Sequence, residues 1–319
     1  MLRASPKDGA GAGTTRAPDR IFRWLTAGVA LLVIGLLGAV AVQLVLGSAP
    51  AFNHFGAGFV TGQTWDPSKA VFGALPFIAG TLVTSLLAML LAIPIGILTA
   101  VFLSEMAPRW LAIPLTFTVD LIAAIPSVIV GLWGLGVLSV VLRDQLETPI
   151  TDGLGGLPFV GGDATGSDLL AASLVLALMV TPTIVAITRE VFATVPQSHR
   201  EAMLGLGGTR WEAIRRVVLP AARSGIIGAS ILALGRAMGE TMAVTMTIGN
   251  ADQVPSGLFE PAQTIASKIA TSWNEASQAV EQQALIGLGL VLMVLSVIMV
   301  LTTRVMIRGR AFGRRTEAA

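Results

Sequence analysis

Six apolar runs, at about 24–46, 75–103, 111–142, 169–188, 224–249 and 285–307, leave this chain few folds to choose from. Each is about as long as an α-helix must be to cross roughly 30 Å of hydrocarbon. In that medium only helices and closed barrels satisfy their backbone polar groups. A barrel would be written as alternating segments of about ten residues, a pattern the sequence lacks. The expected fold is therefore all-α, a polytopic membrane protein of six transmembrane helices. Composition agrees: 13% of residues are charged and 54% hydrophobic, against about 25% charged in a soluble protein.

The chain divides into a polar, Gly- and Ala-rich segment (1–23), expected to be disordered and cytoplasmic, a membrane domain (24–307), and a cytoplasmic tail (308–319). The second and third runs exceed the bilayer thickness and must tilt or kink, with Pro94, Pro114 and Pro126 as the expected kink sites. With both termini inside, 17 of the 21 Lys and Arg residues lie on the cytoplasmic side; Lys69, Arg143 and Lys268 lie outside and Arg236 within the membrane. That bias predicts a multi-pass protein of the cell membrane with both termini cytoplasmic. Among the outer connectors, 261–282 is expected to hold an amphipathic helix on the surface, beginning near Glu260 and Pro261.

Much chemistry is excluded. There is no Cys, and the only histidines are His54 and His199, far apart in the chain and expected in loops. With no clustered carboxylates either, no metal centre is expected. The sequence has no phosphate-binding G-x-x-x-x-G-K-[ST] loop, no H-E-x-x-H and no G-x-S-x-G. No catalytic residue and no cofactor is therefore expected, nor a nucleic-acid partner. Any energy for work must come from another polypeptide.

Two features carry function. The first is the inner loop between the fourth and fifth runs, about 189–223. Here Glu201-Ala202 is followed after four residues by Gly207, and Val217 stands one residue before Leu219-Pro220. Residues 198–206 can form a short helix that Gly207 ends, since glycine tolerates left-handed backbone angles. A second helix over 211–219 would then run toward the membrane. A short helix projecting from a membrane domain suits insertion into a groove on a partner.

The second feature is a charged pair inside an apolar run. Arg236 and Glu240 are spaced one helical turn apart, so in a continuous helix they would share a face. Gly235 and Gly239 would let another helix approach beside it. An arginine at mid-membrane costs roughly 2.5–3.5 kcal/mol on insertion scales, and such residues usually face an interior or a wet path. Its planar fork of donors matches tetrahedral oxyanions. Two readings follow from spacing alone: a transient oxyanion contact with Glu240 as holder or gate, or a salt bridge that fixes helix packing. Asp120, in the third run, could pair with Arg236 or sit in contact with water. Thr81, Thr84 and Ser85 could line a polar path or bond their own helix backbone.

The spacing around Glu201 resembles the EAA loop of ABC importer permeases, with Met203 and Val217 in place of the family's second alanine and its isoleucine. The run from Arg236 to Met246, closing with Ile248-Gly249-Asn250, is similar to the fifth-helix signature of PstC-type permeases of phosphate ABC importers. Further agreement lies at Trp65–Pro67, Phe72-Gly73, Leu75–Ile78, Gly80-Thr81, Ile125–Ser127, Gly131–Gly134 and Ala284–Leu290, so the likeness covers about 60–307. It implies a type I importer membrane domain carrying inorganic phosphate. The partners it implies are a homologous second permease, a cytoplasmic ABC ATPase dimer and an external phosphate-binding protein, with the lipid bilayer around them. It also assigns ATPase coupling to Glu201, Ala202, Gly207, Leu219 and Pro220, and phosphate passage to Arg236 and Glu240. The alternatives are an importer of sulfate, molybdate or an amino acid, the sister permease of the same complex, and an ion channel or intramembrane enzyme.

Overall fold

The computed structural model describes residues 16–154 and 164–313. The first 15 residues, part of the loop before the fourth run, and the last six lie outside them, and with them most of the expected N-terminal segment and half of the expected C-terminal tail. Helix α1 (Arg16–Phe55) begins within the segment expected to be disordered, so residues 16–23 are helical rather than unstructured. It is followed by a two-residue hairpin, Trp65–Asp66 against Val71–Phe72. Then come α2 (Leu75–Met106), α3 (Arg109–Ala124), α4 (Ser127–Gly153), α5 (Leu169–Ala193), α6 (Gln197–Gly205), α7 (Arg210–Gly239), α8 (Met242–Thr247), α9 (Ile265–Ser272) and α10 (Ala279–Gly313). Six of these, α1, α2, α4, α5, α7 and α10, are long and apolar enough to cross a membrane.

The centre of the bundle is α2 against α5, with α7 packed on both. Small residues set the approach: Ala88, Ala92, Ala172, Ala233 and Ala237 interleave with Leu176, Val180, Ile184 and Met238 in one buried cluster. A Cβ on Gly96 of α2 would lie 2.9 Å from Cβ of Ile184, so that position admits only glycine at this spacing. By contrast α1 packs mainly along α10, and none of its most apolar stretch is buried within the protein. A helix that is hydrophobic all round and uncovered by its own fold has lipid as its solvent.

Three expectations are corrected. The third run is not one bent helix. Proline disfavours helical angles in the residue before it, and Ile125 and Pro126 are extended (ψ 128° and 136°), which separates α3 from α4. Pro94 and Pro114 lie inside unbroken helices. The fifth run is also divided: Glu240 takes ψ 128° and ends α7, and the short α8 follows, turning Ala243, Val244 and Thr247 into the packing against α4 and α5. Finally, α9 does not lie on a surface. Thr264 and Ser267 form its capping box, Ile265 and Ser267 are fully buried, and Glu260 instead accepts hydrogen bonds from Ser256. Lys268 of α9 is buried too, paired with Asp252 at 2.5 Å and seated 5.3 Å from the ring centres of Trp65 and Phe77.

Candidate functional site

Helix α7 is a single helix from Arg210, so the second helix expected over 211–219 is instead its first turns, and Leu219-Pro220 falls within it. Proline lacks the N–H a helix interior needs. Here a wide i→i+5 turn over Ile214–Val218 precedes it, with Leu219 N–H donating to Ile214 O, and such single wide turns are a known way of absorbing an irregularity. At its other end α7 presents Gly235, Arg236 and Gly239 on an open side, where a Cβ on either glycine would meet nothing within 4 Å.

Arg236 sits in the last turn of α7 and donates from Nη1 to Oγ1 of Thr183 on α5, at 3.2 Å. Among the described residues no carboxylate lies within ion-pair distance of it. The expected pairing with Glu240 fails because the helix stops at Gly239, so Glu240 is not on the next turn of the same face. Its Oε1 instead accepts from Ala243 N–H at 3.4 Å, at the start of α8. Beyond it Thr245 donates to Thr241 O, and Asn250, at φ +52°, donates to Thr245 O. Arg236, Glu240, Thr245 and Asn250 are thus exposed or half-exposed polar residues at the end of α7, in α8 and just beyond it.

The other sequence candidates lie elsewhere. Thr81 is buried, donating to Phe77 O and accepting from Ile265 N–H at 2.9 Å, so it joins α2 to the start of α9. Ser85 donates to Leu82 O of its own helix, and the hydroxyl of Thr84 is buried without a partner. All three are sealed in packing, unlike Arg236. Asp120 does not meet Arg236; on α3 it is exposed and lines a cleft of about 560 Å³ with Glu105, Arg189, Glu190 and Arg200.

The EAA-like segment folds as expected. α6 carries Glu201 and Ala202 exposed to solvent. It ends with Gly208 N–H donating to Met203 O and Gly207 N–H to Leu204 O, around Gly207 at φ +84°, the paired closing bonds for which a left-handed glycine is the usual residue. Thr209 and Glu212 then cap the start of α7 reciprocally. The sequence reading missed Thr183, whose only signal is a hydroxyl next to Pro182 in a span. It also missed Arg200 and Glu105, whose pairing across 95 residues no local pattern announces.

Six apolar helices around a buried α2–α5–α7 centre, with a short exposed helix between α5 and α7, have the fold of type I importer membrane domains. In solved structures, 92% of the chain superposes on 97% of a chain of a bacterial alginate ABC transporter (TM-score 0.59, 20% identity). A chain of the methionine transporter MetNI is matched over 74% of this one and 94% of its own length (TM-score 0.50, 18% identity). The family model of binding-protein-dependent transport system inner membrane components matches residues 92–317. The phosphate transport system permease proteins PstC of Haemophilus influenzae and Mesorhizobium japonicum are 42% and 44% identical to it. Each alignment spans 91% of this chain and at least 90% of the relative. PstC 2 of Mycobacterium tuberculosis is 35% identical over 93% of the chain and 94% of its own length. The chain belongs to the binding-protein-dependent transport system inner-membrane components, and within them to the PstC-type permeases.

Proposed function

We propose that this chain is the non-catalytic membrane subunit of an ATP-driven importer that moves inorganic phosphate into the cytoplasm. It works with a homologous second permease, two copies of a cytoplasmic ABC ATPase and an external phosphate-binding protein, with both its own termini cytoplasmic. The names of its relatives support the substrate. The observation that carries the reading is Arg236: a guanidinium on the open side of a membrane helix, flanked by glycines with empty space beside them and held by a single neutral hydroxyl. Left against lipid this group would be costly. Covered by a second permease it lines the seam between the two halves, where its fork offsets part of the water an oxyanion loses on entering. Holding it by Thr183 rather than by a carboxylate leaves most of its donors for the cargo. Glu240, at the break between α7 and α8, keeps the contact weak enough to release by opposing a resident anion. Energy enters through α6, whose Glu201 and Ala202 face the ATPase, and Gly207, Leu219 and Pro220 set the angle at which α6 meets α7.

The test is ATP-dependent uptake of labelled phosphate into vesicles holding the full complex. Arg236→Gln should reduce uptake at least roughly tenfold, the loss of one charge-assisted contact, while the ATPase still copurifies. Glu240→Gln should alter release and lower turnover. Wild-type rates in both variants would remove the pathway assignment. Sulfate or molybdate competing as well as unlabelled phosphate would remove the substrate assignment.

A further inference from the structure

The helix that the importer reading makes the docking element has almost no anchorage of its own. No residue of α6 is buried, and its packing is chiefly on the first turns of α7. One side chain ties it to the membrane body. Arg200, in the middle of α6, donates from Nε to Oε2 of Glu105 at 3.2 Å and from Nη2 to Oε1 at 2.8 Å. Nη2 also reaches Phe192 O at 2.9 Å, and Nη1 reaches Val195 O at 2.6 Å. All three guanidinium nitrogens are used. The two side chains are only 16% and 11% exposed, so neither charge is well solvated without the other.

The partners are placed at the ends of the two central helices. Glu105 lies in a wide i→i+5 turn, Phe102–Met106, that closes α2, and Phe192 lies in the last turn of α5. Without this joint, α6 hangs from α5 on the three residues 194–196. With it, α2, α5 and α6 are joined at one planar group whose geometry a lysine ammonium cannot reproduce. Thr183, which holds Arg236, is nine residues back along α5 from Phe192, about 14 Å at 1.5 Å per residue.

Resting on the coupling role proposed for α6, we infer that Arg200 is a positioning residue that makes α6, α2 and α5 move as one body. A displacement of the docking helix then reaches the Thr183–Arg236 contact instead of being lost in the 194–196 linker. The carboxylate of Glu105 is its obligatory counterpart.

Because the chain has no cysteine, spin labels can be placed at His199→Cys on α6 and Met106→Cys at the end of α2, both exposed, in the full complex in lipid. The 106–199 distance should be narrow and the same with and without ATP. In Arg200→Lys it should broaden, while phosphate moved per ATP falls roughly tenfold and the ATPase still copurifies. The charge swap Glu105→Arg with Arg200→Glu should narrow the distribution and recover part of the uptake. A narrow distribution in Arg200→Lys, unchanged uptake per ATP, or loss of the copurifying ATPase would each overturn the inference. The distances read the joint and the labelled solute reads the function. Broadening in Arg200→Lys therefore stands even where the imported solute proves not to be phosphate.

Discussion

Single side chains do three kinds of work here, and burial separates them. Arg236 is open and thinly held, which suits a group that meets a passing ion; Thr81 is sealed and fully bonded, which suits a fastener. A third kind appears at the head of α5. There Asp168 accepts from Ala171 N–H at 2.8 Å as the helix cap, and the buried Glu147 accepts from Gly166 N–H at 2.8 Å. The remaining carboxyl oxygens, Oδ2 and Oε1, are buried without another partner. Burial first, and then the charge of Glu147 beside it, push the Asp168 carboxyl up from 3.8 to about 7. The folded protein therefore keeps a proton that the unfolded chain has lost over that interval, so stability falls as pH rises from about 4 to about 7 and stays low above it. Asparagine at 168 can still cap α5 but cannot ionise. Melting of the purified protein should drop by a few degrees between pH 5.5 and pH 8 in the wild type and stay nearly level in Asp168→Asn. Equal pH dependence in the two would refute the assignment of this pH dependence to Asp168.

At the scale of elements, the junction of α6 and α7 is built from backbone as much as from side chains. Gly207 closes one helix in the left-handed region and Thr209 opens the next two residues later. A side chain at Gly207 has open space around it, so its cost is conformational, about 1–2 kcal/mol. Gly207→Ala should therefore leave insertion intact while tilting α6, and the amount of ATPase copurifying should fall several-fold. Full recovery of the ATPase would show that the angle between these helices does not matter for docking. The divided third and fifth runs belong at this scale as well. Pro126 announces the first division only as a possible kink site, because nothing local says whether neighbouring helices will span a proline or let the chain part there. Nothing in residues 235–246 announced the second. It follows from α8 turning against α4, a contact between segments more than a hundred residues apart.

For the molecule as a whole, the open side of α7 and α8 is a surface the fold leaves unfinished. Glycines with nothing beside them at lipid depth invite close helix contact. Gly239→Cys should therefore crosslink in the membrane to the second permease through a short bifunctional reagent. Crosslinking to that partner only from α1, and never from position 239, would place the seam elsewhere.

Hydrophobic length and the Lys and Arg count determined the class, the number of spans and the expected orientation, because lipid imposes backbone bonding and depth on any apolar run regardless of its neighbours. The EAA-like spacing likewise fixed a short helix and its glycine stop, since both are local matters of backbone angle and capping. Only the tertiary structure decided that Arg236 rests on Thr183, that Glu240 accepts from Ala243 at the start of α8, that Thr81 is a strut and that Arg200 meets Glu105. Each of those depends on which helices come together, and a contact between side chains distant in sequence leaves no periodic trace in either segment.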